Sequence, residues 1–135
     1  MAETVPVREG LFTTGADGTP RLIGGRCRGC GQHHFPRTGT CPYCSREEVD
    51  EALLSAEGSL WTWTAVTAPP PGYQGDVPFG FGVVELPEGV RVVTRLTESD
   101  PALLRFGQPL RLTVVPLHTD DEGRSVVTFA FGEGR

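Results

Sequence analysis

All four cysteines of the chain lie close together, as Cys27-x2-Cys30-x10-Cys41-x2-Cys44. A CxxC pair turns two sulfurs toward one ion and points backbone amides at them; two such pairs complete a tetrahedron. The spacing is hard to explain as disulfides, and a cytosolic chain keeps its thiols reduced. Four thiolate ligands leave no position for an activated water, so the site reads as structural rather than catalytic. Zn²⁺, one ion per chain, is the expected cofactor. Iron competes, because rubredoxin-like knuckles hold it with the same ligands.

Gly24, Gly25, Gly29, Gly31 and Gly39, with Pro36 and Pro42, leave this stretch little room for regular structure. So short a segment cannot build its own apolar core, and metal is expected to stabilise it instead. Gly31 suits a tight knuckle after Cys30; Ser45 after Cys44 suits one less well. His33 and His34 lie near enough to replace a cysteine, but with four thiolates available a packing role is the better reading.

Net charge is −5, and all twelve basic residues are arginine. Arg21, Arg26, Arg28, Arg37 and Arg46 fall between Gly18 and Arg46 without an acid, which leaves −10 on the rest of the chain. Four thiolates and one divalent ion bring −2 to that basic stretch, so its patch is smaller than it looks. An acidic chain is a poor match for non-specific nucleic-acid binding, which rests on phosphate neutralisation. No run of about 18 apolar residues spans a membrane and no signal peptide is visible, so a cytoplasmic protein is expected.

From Ser59 onward the hydrophobic period becomes two. Leu60–Ala68, Phe79–Leu86, Val90–Thr97, Leu110–Leu117 and Ser125–Phe131 read as strands, with a tight turn at Pro87-Glu88-Gly89. Asp100 can cap a short helix beginning at Pro101, with Gly107 ending it. Five strands with a short helix between the third and fourth suggest a small barrel of OB type. The fold class is therefore mainly β: an N-terminal four-cysteine ribbon followed by a five-stranded OB-fold barrel. The expected units are an arm over 1–20, the ribbon over 21–50 and the barrel over 51–135. Residues 1–20 show no strong periodicity. Residues 46–58 permit a turn or two of helix and equally suit a connector entering a strand.

Trp61 and Trp63, two apart, are expected on one face of the first barrel strand, as core or as partner-facing anchors. Tyr73 tips the stiff loop Pro69–Pro78, where it meets a partner or packs back on its own domain. Phe79 and Phe81 alternate with Gly80 and Gly82, small residues that permit coiling or close approach of another chain. Trp61, Trp63, Tyr73, Phe79 and Phe81 are the candidate partner or ligand contacts. Arg91, Arg95 and Arg111 read as a solvated outer face that can also meet an anion such as a CoA phosphate. No catalytic constellation emerges: there is no nucleophile elbow and no phosphate-cradling glycine loop.

The order of parts resembles the DUF35 family. The resemblance runs over about residues 21–131 and is carried by RCRGCGQHHFPRTGTCPYC, SLWTWTAVTAPP, GFGVVELPEGVRVVTRL and DPALLRFGQPL. It implies a rubredoxin-like zinc ribbon joined to an OB fold. It also implies a non-catalytic accessory subunit in a heteromeric complex with a thiolase, a lipid-transfer-protein-type aldolase or an acyl-CoA hydratase. Such a subunit stabilises its partner and helps to shape an acyl-CoA entrance, in fatty acyl-CoA or steroid side-chain degradation. Many members begin with an amphipathic helix; here Gly15, Gly18 and Pro20 do not read as one. Two other readings of the same parts are a single-stranded nucleic-acid-binding OB-fold protein and a rubredoxin-like electron carrier.

Overall fold

The computed structural model describes residues 4–15, 17–73 and 77–133. Its strands are β1 (Thr4–Pro6), β2 (Phe12–Thr14), β3 (Pro20–Cys27), β4 (His33–His34), β5 (Val49–Leu53), β6 (Glu57–Val66), β7 (Phe79–Glu85), β8 (Arg91–Leu96), β9 (Pro109–Thr119) and β10 (Ser125–Glu133). A single 3-10 turn, Pro101–Leu103, is the only helical element among the described residues. None is long and apolar enough to cross a membrane.

The last five strands close on themselves. β6, β7 and β8 form an antiparallel meander; β8 then lies parallel to β10 through Arg95↔Ala130 and Leu96↔Phe131. β10 runs antiparallel to β9, and β9 returns to β6 at Glu57↔Arg111 and Ser59↔Pro109. The cyclic order β6-β7-β8-β10-β9 is that of a five-stranded OB barrel. Alternation fills its interior. Val92, Thr94 and Leu96 of β8 point inward and Arg91 and Val93 outward, while Leu60, Val84, Leu110, Leu112 and Phe131 complete the core.

Gly80 and Gly82 also face inward. A Cβ on Gly82 would collide with the Thr62 carbonyl oxygen, and one on Gly80 with that of Glu98. The close approach these glycines permit is thus that of the chain's own neighbouring backbone.

The N-terminal region is more regular than its composition suggests. β1 lies parallel on β10, Thr4 opposite Ser125, and β2 lies antiparallel on β3. These described residues form three-residue strands and no helix; residues 1–3 and 16 lie outside the described residues. The eight-residue β3 corrects the expectation that the glycine-rich stretch forms little regular structure. Its glycines serve packing. A Cβ on Gly24 would sit 2.7 Å from the His34 carbonyl oxygen, and one on Gly25 2.7 Å from His34 Cε1. Residues 46–58 hold no helix. β5 pairs with β3 from Ile23↔Leu53 to Cys27↔Val49, so an available strand edge outweighs the local Glu/Ala/Leu preference for helix.

The ribbon strands also have a core, shared with the barrel. Leu22 at the start of β3 and Leu54 just after β5 are fully buried in the same cluster as Val84, Leu86 and Phe131. Phe12 and Phe35 meet Phe129 of β10 edge-on, at 6.4 and 5.7 Å between ring centres. Where the two halves join, Glu88 in the β7–β8 turn accepts hydrogen bonds from Ser55 N (2.9 Å) and Ser55 Oγ (2.8 Å).

Candidate metal centre

Cys27 ends β3, and the chain turns straight back into a knuckle. The Cys27 N–H donates to the Gln32 carbonyl (3.1 Å), and the Gly31 N–H to that of Cys27 (2.9 Å). The second knuckle repeats this closure with Cys41 N–H to Arg46 O (2.7 Å) and Ser45 N–H to Cys41 O (3.0 Å). Both turns need a left-handed residue after the second cysteine: Gly31 has φ 77° and Ser45 φ 67°. Serine bears a steric cost there that glycine avoids.

The four sulfurs converge. Cys27 Sγ lies 3.5 Å from Cys44 Sγ and Cys30 Sγ 3.7 Å from Cys41 Sγ, and all four lie within 4.8 Å of one another. A tetrahedron with metal–sulfur bonds of about 2.3 Å has edges of about 3.8 Å, so these positions fit one metal ion. Gly29 N–H (3.3 Å) and Cys30 N–H (3.5 Å) donate to Cys27 Sγ, and Tyr43 N–H (3.4 Å) to Cys41 Sγ. Cys27 and Cys41 are buried; Cys30 and Cys44 are exposed.

The Cys30 amide, followed by that of Gly29 against the opposing effect of burial, draws the Cys27 thiol down to about 6. Cys44 moves the other way. The Arg46 amide favours its thiolate, but burial and the hydrogen bonds to the other three sulfurs prevail and raise it to about 11. A metal-free cluster therefore loses its first proton easily and holds its last one through the neutral range. Metal uptake must expel that proton, so affinity rises with pH and falls on acidification. A chelator competition titration between about pH 6 and 8 is expected to show at least about a tenfold loss of affinity per unit of acidification.

His34 is not among the converging ligands. It is buried against β3, and its Nε2 accepts a hydrogen bond from Thr38 N–H at 3.3 Å. Arg28 forms an exposed ion pair with Asp50 at 3.4 Å, which further reduces the basic patch.

The five aromatic candidates lie on the barrel and diverge. The β6–β7 register slips between Leu60 and Thr62, and this bulge breaks the alternation that would place both tryptophans on one face. Trp61 projects outward, with its ring 5.3 Å from that of Phe106 and the Arg91 guanidinium 3.9 Å above it. Trp63 packs against the core and donates from Nε1 to the Pro101 carbonyl at 3.1 Å. Tyr73 packs back on its own barrel: its ring lies 5.1 Å from that of Phe79, and its hydroxyl accepts from Arg95 at 2.8 Å. Residues 74–76 of this loop lie outside the described residues. Phe81 is exposed on the outer face of β7. Arg91 pairs with Glu85 at 3.1 Å and Arg111 with Glu57. Sequence reasoning missed Leu103 and Phe106, both exposed; two large apolar residues in a short inter-strand segment were the available signal.

A knuckled four-cysteine ribbon sharing one core with an OB barrel defines a two-part class of protein. Comparison with known families and proteins agrees. Residues 16–50 match the family described as "ChsH2, rubredoxin-like zinc ribbon domain", and residues 51–115 match "ChsH2, C-terminal OB-fold domain". A DUF35 domain-containing scaffold protein of Pyrococcus furiosus is 33% identical over 76% of this chain and 74% of its own length. The benzoylsuccinyl-CoA thiolase subunit BbsA of Thauera aromatica is 33% identical over 90% of this chain and 83% of its own. Among solved structures, the "Ltp2-ChsH2(DUF35) aldolase" superposes with a TM-score of 0.62 at 27% identity, over 82% of this chain and 84% of that one. The chain belongs to the DUF35 family.

Proposed function

We propose that this chain is a non-catalytic accessory subunit, with one structural Zn²⁺ held by Cys27, Cys30, Cys41 and Cys44. In this reading it binds and stabilises a thiolase-like enzyme that acts on an acyl-CoA, either a thiolase or a lipid-transfer-protein-type aldolase. The observation that carries the reading is the similarity to a thiolase subunit along nine-tenths of the chain, ribbon and barrel together. The donor set supports zinc, since four soft thiolates at tetrahedral spacing suit it. With all four sulfurs taken, the metal would supply rigidity, and the chemistry would belong to the partner. The reducing cytoplasm is the compartment in which such thiols stay available. The division between ribbon and barrel falls near residue 50, after an arm over 1–20 whose described strands β1 and β2 pair with β10 and β3.

Trp61 and Phe81 are the candidate contacts whose exposure suits a partner. Nucleic-acid binding is disfavoured by the net charge of −5 and by the engagement of Arg91 with Glu85. Co-expression with a thiolase-like enzyme of the same organism should yield a complex that co-elutes in size exclusion and contains one zinc per copy of this chain. Two proteins that are each soluble and active apart, and never co-elute, would refute the reading.

A further inference from the structure

The segment between β8 and β9 is tied down at nearly every residue. Asp100 accepts from Ala102 N–H at 3.0 Å and caps the 3-10 turn. The Leu103 and Leu104 N–H groups donate to the Asp100 and Pro101 carbonyls. Buried Gln108 accepts from Arg105 N–H at 3.2 Å, and Gly107 N–H donates to Leu60 O at 2.8 Å. Both tryptophans of β6 fasten it as well, Trp63 through Pro101 and Trp61 through Phe106.

A segment held this firmly has no need to leave large apolar side chains in water. Yet Leu103 is 62% exposed and Phe106 65%. Trp61 and Val93 extend the apolar surface onto the outer face of the barrel. Leu103 also borders a groove of about 360 Å³ that lies over the buried Leu96, Leu110 and Phe131 and whose open lining is mostly polar. The charged residues on the groove are Glu98, Glu133 and Arg105, an acidic balance. Rigid aromatic and aliphatic side chains beside a groove, with an arginine stacked on a tryptophan, are the composition of a protein-binding hot spot.

We propose that this edge of the barrel is the docking surface for the enzyme subunit, with Leu103, Phe106 and Trp61 as its anchors. The inference rests on the accessory-subunit reading and adds where the partner binds and by what chemistry. The complementary segment of the partner presents apolar side chains to Leu103, Phe106 and Trp61, and beside them a basic residue that enters the groove and meets Glu98 and Glu133. The same acids argue against a nucleic acid. They also argue against a second copy of this chain, because a two-fold contact would set one acidic rim against another.

The test is co-expression of the full chain, wild type and Leu103→Ser/Phe106→Asp, with the enzyme. The double variant should keep its zinc and its fold, with at most a small drop in melting temperature from the lost Trp61–Phe106 contact because the backbone hydrogen bonds and Trp63 still hold the segment, and should bind the enzyme at least about 30-fold more weakly. Phe106→Ala alone, a milder change, should weaken binding in the same direction. Wild-type assembly matched by equally tight assembly of both variants would overturn the docking surface and leave the functional reading intact. Failure of the wild type to assemble would overturn both. A wild-type homodimer that the double variant converts to monomer, with enzyme binding unchanged, would show the occupant to be a second copy. Tight oligonucleotide binding by wild type, lost in the variant, would show it to be a nucleic acid.

Discussion

Cys41→Ser is expected to empty the metal site and abolish assembly with the enzyme subunit in one step. Cys41 is 1% exposed, and its backbone closes the second knuckle through both its N–H and its carbonyl. Serine is a harder and far less acidic ligand, and its substitution leaves three thiolates around an ion that takes four. Structural zinc contributes about 10–16 kcal/mol to the folding of isolated zinc-finger peptides, so the loops of the ribbon have little to hold them once it leaves. The damage should spread beyond the loops, because Leu22, Leu54 and Phe35 belong to or pack on the barrel's own core. Metal content by mass spectrometry should fall from about one ion per chain to near zero, and the enzyme should no longer co-elute. Assembly retained without zinc would mean that the barrel alone carries the scaffold role.

Phe131→Ala should leave the metal site occupied and cost about 3–5 kcal/mol of stability. Phe131 is fully buried and sits in the parallel seam, opposite Leu96 of β8 on one side and Leu112 of β9 on the other. Its carbonyl accepts from Thr97 N–H at 3.0 Å, so the backbone there also closes the barrel. Against a typical total of about 5–15 kcal/mol the loss is severe, and the melting temperature should drop by roughly 10–20 °C. Thermal unfolding followed by circular dichroism measures it. A loss below about 1 kcal/mol would mean that the seam collapses around the vacancy and does not carry the core.

The barrel was legible in the sequence because each of its strands is long enough to show the period of two. β6 starts three residues before, and ends two residues short of, its alternation, and β9 extends beyond its own at both ends, since pairing with neighbours sets strand limits that the apolar pattern does not. β1, β2 and β4 span two or three residues each, too few for any period. β3 was hidden by Gly24 and Gly25, whose purpose appears only once His34 is seen lying over them. Convergence of the four cysteines was legible because CxxC geometry is local, and the repeated knuckle closure follows from it. The aromatic surface was only half legible. A one-residue bulge at Trp61 has no signature in composition, and it decides which tryptophan faces solvent. The exposed pair Leu103 and Phe106 required knowing that no other element covers them.

β10 is hydrogen-bonded to β1, β8 and β9, and one of these pairings joins Thr4 to Ser125. The contact order of the fold is accordingly high, and loop closure must precede most of its reward. On the ribosome, β1 and the parallel edge of β8 must wait until the residues from Ser125 onward have emerged. A nascent chain stalled before that point would expose the apolar faces of β7 and β8 with no strand to seal them. β10 is thus made after every strand it seals, and its loss should be felt more as failed biogenesis than as a weakened complex.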